Sequence, residues 1–271
     1  MVAGIGEPER AQILVDIDRA QSGQRRRSRL IFIGVWAAIL AGIAAAFAST
    51  GNTDVEWIGE WAPYILGGTG ITVLVCVLSI LLAVVLAIFG ALGRISTNSV
   101  AYAVSSFYVS LVRGTPLLVQ IYIIYFALPT IHPILILDAI PAGIIALGFN
   151  YGAYMTEIFR AGIQAVPRGQ REAAEALGIP NRLVFRRVVL PQAVRIVTPA
   201  IGNEFIVMIK DSALVSIIGV QELLWRAETS GRPALNILEA FFIAAIVYWV
   251  LTIVFSFFQG LLEKRMARGD R

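Results

Sequence analysis

The sequence predicts an all-α membrane protein, a polytopic bundle of six transmembrane helices with a short helical hairpin on its cytoplasmic face. Three observations carry that reading. The chain is 58% hydrophobic and 15% charged, with mean hydropathy +0.77, whereas soluble domains are about 45–50% apolar and about 25% charged. Of its 22 Lys and Arg, seventeen fall in four tails or loops assigned to one side and two in the three loops on the other, the asymmetry expected of cytoplasmic and outer segments. Finally, residues 172–191 form a polar, Arg-rich island punctuated like two short helices. The net charge of +4 and pI near 9.5 therefore report topology and not a nucleic-acid partner.

The first element is a cytoplasmic polar tail, residues 1–29, ending in Arg25-Arg26-Arg27-Ser28-Arg29. Residues 30–48 follow without a charge; nineteen residues at about 1.5 Å each match a hydrocarbon core of about 30 Å. A signal peptide also sets basic residues before an apolar stretch, and Ala46-Phe47-Ala48 is cleavage-like. The long mixed n-region and the length of the apolar stretch argue instead for a retained helix. The loop at 49–61 contains Asp54, Glu56 and Glu60 but no Lys or Arg, and Trp57 and Trp61 suit an interfacial belt. Residues 61–93 are uncharged and hold the second span, ended by Arg94. The stretch 96–112 reads as a possible interfacial helix, and Pro116 opens the third span at 117–128, where a missing first-turn amide costs little.

A short outer connection at 129–141 contains His132, the only histidine, which lacks the neighbours of a metal ligand or nucleophile. The fourth span, 142–163, places Asn150, Tyr154 and Glu157 at i, i+4 and i+7 on one face. An ionisable group at that depth faces protein or a water cavity, and Arg160 is near enough to pair with Glu157. Both readings of Glu157, helix-orienting ion pair and solute contact, stay open at this level. The fifth span, 193–220, is the least hydrophobic, with Arg195, Glu204, Lys210 and Asp211. Pro199, Gly202 and Asn203 predict a bend there that frees carbonyls toward a cavity. Asn203 and Lys210, like Glu204 and Asp211, are seven residues apart and fall in line. An outer amphipathic segment at 221–235, a last span at 240–262 and a basic cytoplasmic tail at 263–271 complete the chain. Cys76, the single cysteine, allows no internal disulfide and reads as a small core residue.

Within the island, 172–177 favours helix, Gly178 supplies a left-handed cap, Pro180 prevents continuation, Asn181 caps a second helix and Pro191 closes it. Glu172-Ala173-Ala174, Gly178 after three residues, then Val188, Leu190 and Pro191 after nine more, resemble the EAA loop of ABC-importer permease subunits; Val188 departs from the family's more frequent Ile. Tyr108 with Arg113-Gly114-Thr115-Pro116-Leu117-Leu118-Val119-Gln120, the run from Asn150 through Glu157 and Arg160 to Gln170, and Lys210-Asp211-Ser212 through Gly219 to Leu223 resemble the polar amino-acid branch, the histidine, glutamine and arginine permeases. The resemblance covers about 67–224 and implies a five-span type I importer core over 62–262, preceded by one additional helix.

What the resemblance implies is a coupling helix within 165–192, with Glu172, Ala173, Ala174, Gly178, Leu190 and Pro191 meeting a dimer of cytoplasmic ATPases. It also implies a second permease subunit, identical or homologous, an external solute-binding protein, an amino-acid solute and the lipid of a bacterial inner membrane, with both termini cytoplasmic. No cofactor is expected on this chain; ATP and Mg belong to the ATPase. The absence of a P-loop, of H-E-x-x-H and of G-x-S-x-G accords with a chain that is not an enzyme. Asn150, Tyr154, Glu157, Asn203, Glu204, Lys210 and Asp211 are the candidates for the solute path. A secondary carrier or channel, and a non-transporting assembly subunit, are the rival classes.

Overall fold

A computed structural model describes residues 54–267 continuously and, before them, residues 24, 26–43, 45 and 49. Most of the predicted tail at 1–29, part of the first span at 44 and 46–48, and residues 268–271 of the basic tail lie outside the described residues. The chain divides into two units, 1–55 and 56–271. In the first, α1 spans residues 26–43, beginning within the arginines, and its apolar side chains from Leu30 to Ile43 are exposed. The Phe32 and Trp36 rings lie 5.4 Å apart along it.

The second unit is helical throughout, with no strand among the described residues. Helix starts at α2 (Val55–Leu66), earlier than predicted, and α3 (Thr69–Arg94) follows a break at Gly67-Gly68. The cause is Gly68: a Cβ there would lie 2.8 Å from backbone atoms of Glu222 and Leu223, so the break lets another connection pass against it.

The main packing is between α3 and α7 (Ala139–Ala165). Lipid supplies no hydrophobic drive between helices, so close approach by small residues takes its place. Ala83, Ala87, Gly90 and Ala91 are buried along α3, and a Cβ on Gly90 would stand 2.2 Å from Thr156 Oγ1. Across the seam, Gly148 and Gly152 on α7 admit Leu82 and Leu86.

Helix α4 (Ser99–Arg113) is capped by Asn98, whose side-chain oxygen accepts from the amides of Val100 and Ala101 at 2.9 and 3.2 Å. It meets the following segment, Leu117–Ile131, at 107°. That segment comprises α5 (Leu117–Tyr122), a π turn (Ile123–Ala127) and α6 (Leu128–Ile131). His132 is a loop residue as predicted, its Nδ1 accepting from the Ile134 amide at 3.1 Å.

After α7 come α8 (Arg168–Ala176) and α9 (Asn181–Val184), then a π turn (Phe185–Val189) leading directly into α10 (Leu190–Asp211). Two expectations are corrected here. Pro191 does not close the second helix; the wide turn before it accommodates a ring and a missing amide that a regular helix would reject. Nor does α10 open at Pro199. It continues to Asp211, and Gln259 Nε2 donates to the Pro199 carbonyl at 3.1 Å. The helix gives way only at Ser212–Ile218, a 3₁₀ run ended by Gly219 at φ 89°. The amphipathic α11 (Leu223–Ala234) and the long, largely exposed α12 (Ile237–Ala267) follow.

By length and apolarity, two described helical stretches qualify as membrane spans, residues 55–94 and 237–266, or three if the bent pair of α4 with Leu117–Ile131 is one span. Helices α7 and α10, with 27 and 22 residues, are long enough for about 30 Å. Polar side chains keep them below that apolarity.

Candidate functional site

The predicted hairpin is present and projects from the ends of α7 and α10. Gly178 takes φ 73° after Leu177, a conformation that disfavours residues with a Cβ. The turn is closed by amides of Leu177, Gly178 and Ile179 bonded to carbonyls of Ala173, Glu175 and Ala174 at 3.2, 2.9 and 3.2 Å, a Schellman-type end. Its inner side is anchored by buried Ala174, Val184 and Val189 and by the Arg171 guanidinium donating to the Ile163 carbonyl at 2.7 Å. Its outer side is bare: Glu172, Ala173, Gly178, Leu190 and Pro191 are exposed, and Leu177 at the tip is 80% exposed. The hairpin thus presents an exposed apolar tip flanked by arginines.

Where α3, α4 and α7 meet, Glu157 is enclosed by arginines. Arg94 Nε donates to one carboxylate oxygen at 3.1 Å, and Arg160 reaches the other through Nε at 3.0 Å and Nη2 at 2.8 Å. Ser106 accepts from Arg94 at 2.6 Å, and Gln164 from Arg160 at 2.7 Å. The Glu157–Arg160 pair read from the sequence therefore exists, inside a larger cluster.

The remaining candidates separate. Asn150 is buried and donates to Gln120 Oε1 at 3.1 Å. Tyr154 is 39% exposed, with the Arg113 guanidinium 5.3 Å above its ring. Asn203 faces α12, where Gln259 donates to it at 2.8 Å. Asp211 accepts the Tyr151 hydroxyl at 2.7 Å, while Glu204 is half-buried and Lys210 exposed. The face shared by Asn150, Tyr154 and Glu157 thus serves three different neighbours. Sequence reasoning passed over Arg113 and Tyr151 as site residues, although an arginine before Gly-Thr-Pro and a tyrosine beside Asn150 were visible signals.

On the other side, at the start of α11, Glu222 is fully buried, accepting from the Trp225 amide at 2.8 Å and from the Tyr248 hydroxyl. Burial pushes its carboxyl above the ordinary 4.5, opposed by those hydrogen bonds and the Leu224 amide. No group of three or more metal-ligating side chains occurs among the described residues.

Helices packed through small residues, charged side chains carried within them and an exposed hairpin define a polytopic helical membrane protein. Residues 79–268 match the family model described as "Binding-protein-dependent transport system inner membrane component". The chain belongs to that family of transport permeases. It is 39% identical over 219 residues to the arginine transport system permease protein ArtQ of Bacillus subtilis, covering 81% of this chain and 100% of the relative. It is 40% identical over 225 residues to the L-cystine transport system permease protein TcyB of the same organism, covering 82% and 95%. Among solved structures, an amino acid ABC transporter crystallised with histidines superposes with TM-score 0.75 at 38% identity, over 79% of this chain and 99% of that one. A methionine ABC transporter, MetNI, shares the fold at TM-score 0.61 and 16% identity, over 78% and 97%.

Proposed function

We propose that this chain is the permease subunit of an ATP-driven importer of polar amino acids or related amines, spanning a bacterial inner membrane six times with both termini cytoplasmic. The observation that carries the reading is the match over the whole length of an arginine permease, joined to a hairpin whose outer side, with Leu177 at its tip, is exposed among the described residues. An ATPase dimer grips α8 and α9, contributing ATP and Mg, and this chain has no ATPase site or cofactor of its own. A second permease subunit completes the path, and an external binding protein delivers the solute. α1 is an addition to a five-span core over 62–262, with membrane lipid around it.

Mechanistically, closure of the ATPases moves α8 and α9, and the continuous helical run from α9 through α10 carries that motion to Asp211. A helix transmits displacement where a loop would absorb it, so access alternates by rigid-body rocking. Glu204, Lys210, Asp211 and Tyr154 line the solute path; Glu157, Asn203 and Asn150 hold the helices that shape it.

The test is ATP-dependent uptake of a labelled amino-acid panel into proteoliposomes containing this chain, its ATPase and its binding protein, comparing wild type with Gly178→Asp. Uptake should collapse while the variant still inserts and assembles, because a charged side chain at the positive-φ turn distorts the docking surface. Unchanged uptake, or uptake without ATP, sinks the reading.

A further inference from the structure

The elbow between α4 and α5 stands level with the middle of α7. Gln120 joins the two: its Nε2 donates to the carbonyls of Val112 and Thr115 at 2.8 and 3.2 Å and to Thr115 Oγ1 at 2.9 Å, while its Oε1 accepts from Asn150. Asn150 and Tyr154 lie near the midpoint of a helix that runs from 139 to 165. The backbone around Arg113 is therefore tied to α7, and the guanidinium, counted by sequence among the cytoplasmic arginines, instead lies exposed at the level of Tyr154, near the middle of that helix.

Arg113 has no carboxylate partner and no hydrogen bond from its guanidinium among the described residues, and the guanidinium lies over the face of Tyr154. Stacking on a ring engages the flat of the guanidinium and leaves its N–H edges available. Lipid is an expensive surrounding for such a group, so within a membrane its exposed edge calls for a polar partner. One turn back along the same helix, the Tyr151 hydroxyl is bonded to Asp211. An unpaired cation and an unpaired carboxylate thus flank neighbouring tyrosines of α7.

We propose that Arg113 is the specificity-determining residue that takes the carboxylate of the transported solute. Its planar edge can form two parallel hydrogen bonds to a carboxylate, a geometry an ammonium cannot reproduce. The Asp211 side of the same path suits a cationic group. This assignment rests on the amino-acid reading above and narrows it: the solute must carry a free carboxylate, and an amine lacking one is a poor ligand. The rigid elbow matters because a pre-positioned guanidinium loses little freedom on binding.

The experiment measures binding to the permease–ATPase complex in lipid nanodiscs, without the binding protein, whose own specificity would mask that of the path. Labelled L-arginine and L-histidine are competed by unlabelled amino acid or by the decarboxylated amines agmatine and histamine. Wild type should prefer the amino acid over its amine, and Arg113→Gln should weaken amino-acid binding by about ten- to a hundred-fold while leaving amine binding unchanged. Arg113→Lys, which keeps the charge but not the planar edge, should fall between and is the deciding variant if Arg113→Gln does not assemble. Equal weakening of amino acid and amine, with loss of permease pairing on size exclusion, would instead place Arg113 against a second copy and overturn the proposal. If wild type binds an amino acid in preference to its amine and either variant keeps that full preference, only the Arg113 assignment fails; if wild type binds none of the panel, the amino-acid reading fails first.

Discussion

Glu157 on α7 is held by two arginines, whereas Asp211 at the end of α10 receives a single hydrogen bond from a tyrosine. Both are carboxylates within helices of the same bundle, and the difference lies in what the chain supplies around them. At Glu157 each oxygen is bonded to a guanidinium, and the arginines are themselves tied to Ser106 and Gln164. At Asp211 no cation approaches within ion-pair distance, and neighbouring Glu204 and Lys210 also lack ion-pair partners among the described residues. A charge neutralised within the chain orients helices permanently. One left unpaired at depth remains available to a ligand or a second subunit.

The largest effect that can break this comparison is expected from Glu157→Ala. It leaves two partly buried arginines without their shared counter-charge, and removing one partner of such a cluster costs about 3 kcal/mol. Thermal unfolding of the detergent-solubilised protein should show the loss, and uptake should fall only in proportion to the folded protein that remains. If the variant stays fully stable yet loses solute selectivity, Glu157 belongs to the path and the contrast collapses.

Asp211→Asn should behave in the opposite way. The substitution preserves shape and an acceptor for the Tyr151 hydroxyl, so stability should change by less than about 1 kcal/mol. Uptake should drop about ten-fold or more if a charge-assisted contact to the solute is lost. Measuring both quantities on one preparation sharpens the comparison, since a stability loss without an uptake defect would make Asp211 a packing residue.

Helical continuity from α9 into α10 could not be read from the residues alone. Pro191 and Pro199 each read as a place where helix stops or opens, because a proline removes one hydrogen bond and crowds the preceding turn. The structure answers them differently: a local π turn precedes Pro191, and around Pro199 the helix runs on unbroken, with Gln259 of α12 packed against it and donating to the Pro199 carbonyl. In the same way, register put Asn203 in line with Lys210, and the structure adds that its side chain meets Gln259 of α12. Sequence register places a residue on a face, but which neighbour meets that face is a matter of tertiary packing.

The smallest expected effect concerns Glu222, a third kind of carboxylate, buried yet without a cation. Its raised pKa means that the folded state binds the proton more tightly than the unfolded chain. Its contribution to stability is fully present below the unfolded value of 4.5 and is lost as pH rises through the folded pKa. Glu222→Gln should flatten that dependence, seen as a shallower fall of melting temperature from pH 4.5 upward. An equally steep fall in the variant would assign the pH dependence to other groups.

Composition, the one-sided arginines and the punctuation from Glu172 to Pro191 were enough to point to a helical membrane protein with a polar hairpin, because each depends on local chemistry: partition into a bilayer, the distribution of arginine and the turn conformation of Gly178; the permease family was legible only through the resemblance its motifs carry. The Glu157–Arg160 pair was legible from its i, i+3 spacing, but tertiary structure decided that Arg94 joins it. Arg94 and Glu157 are 63 residues apart, as are no helix neighbours, and they meet only because Gly90 and Thr156 let α3 and α7 come close enough for their side chains to touch. Arg113 and Asp211 are left unpaired for the same reason in reverse, since the helices that position them bring no opposite charge within reach.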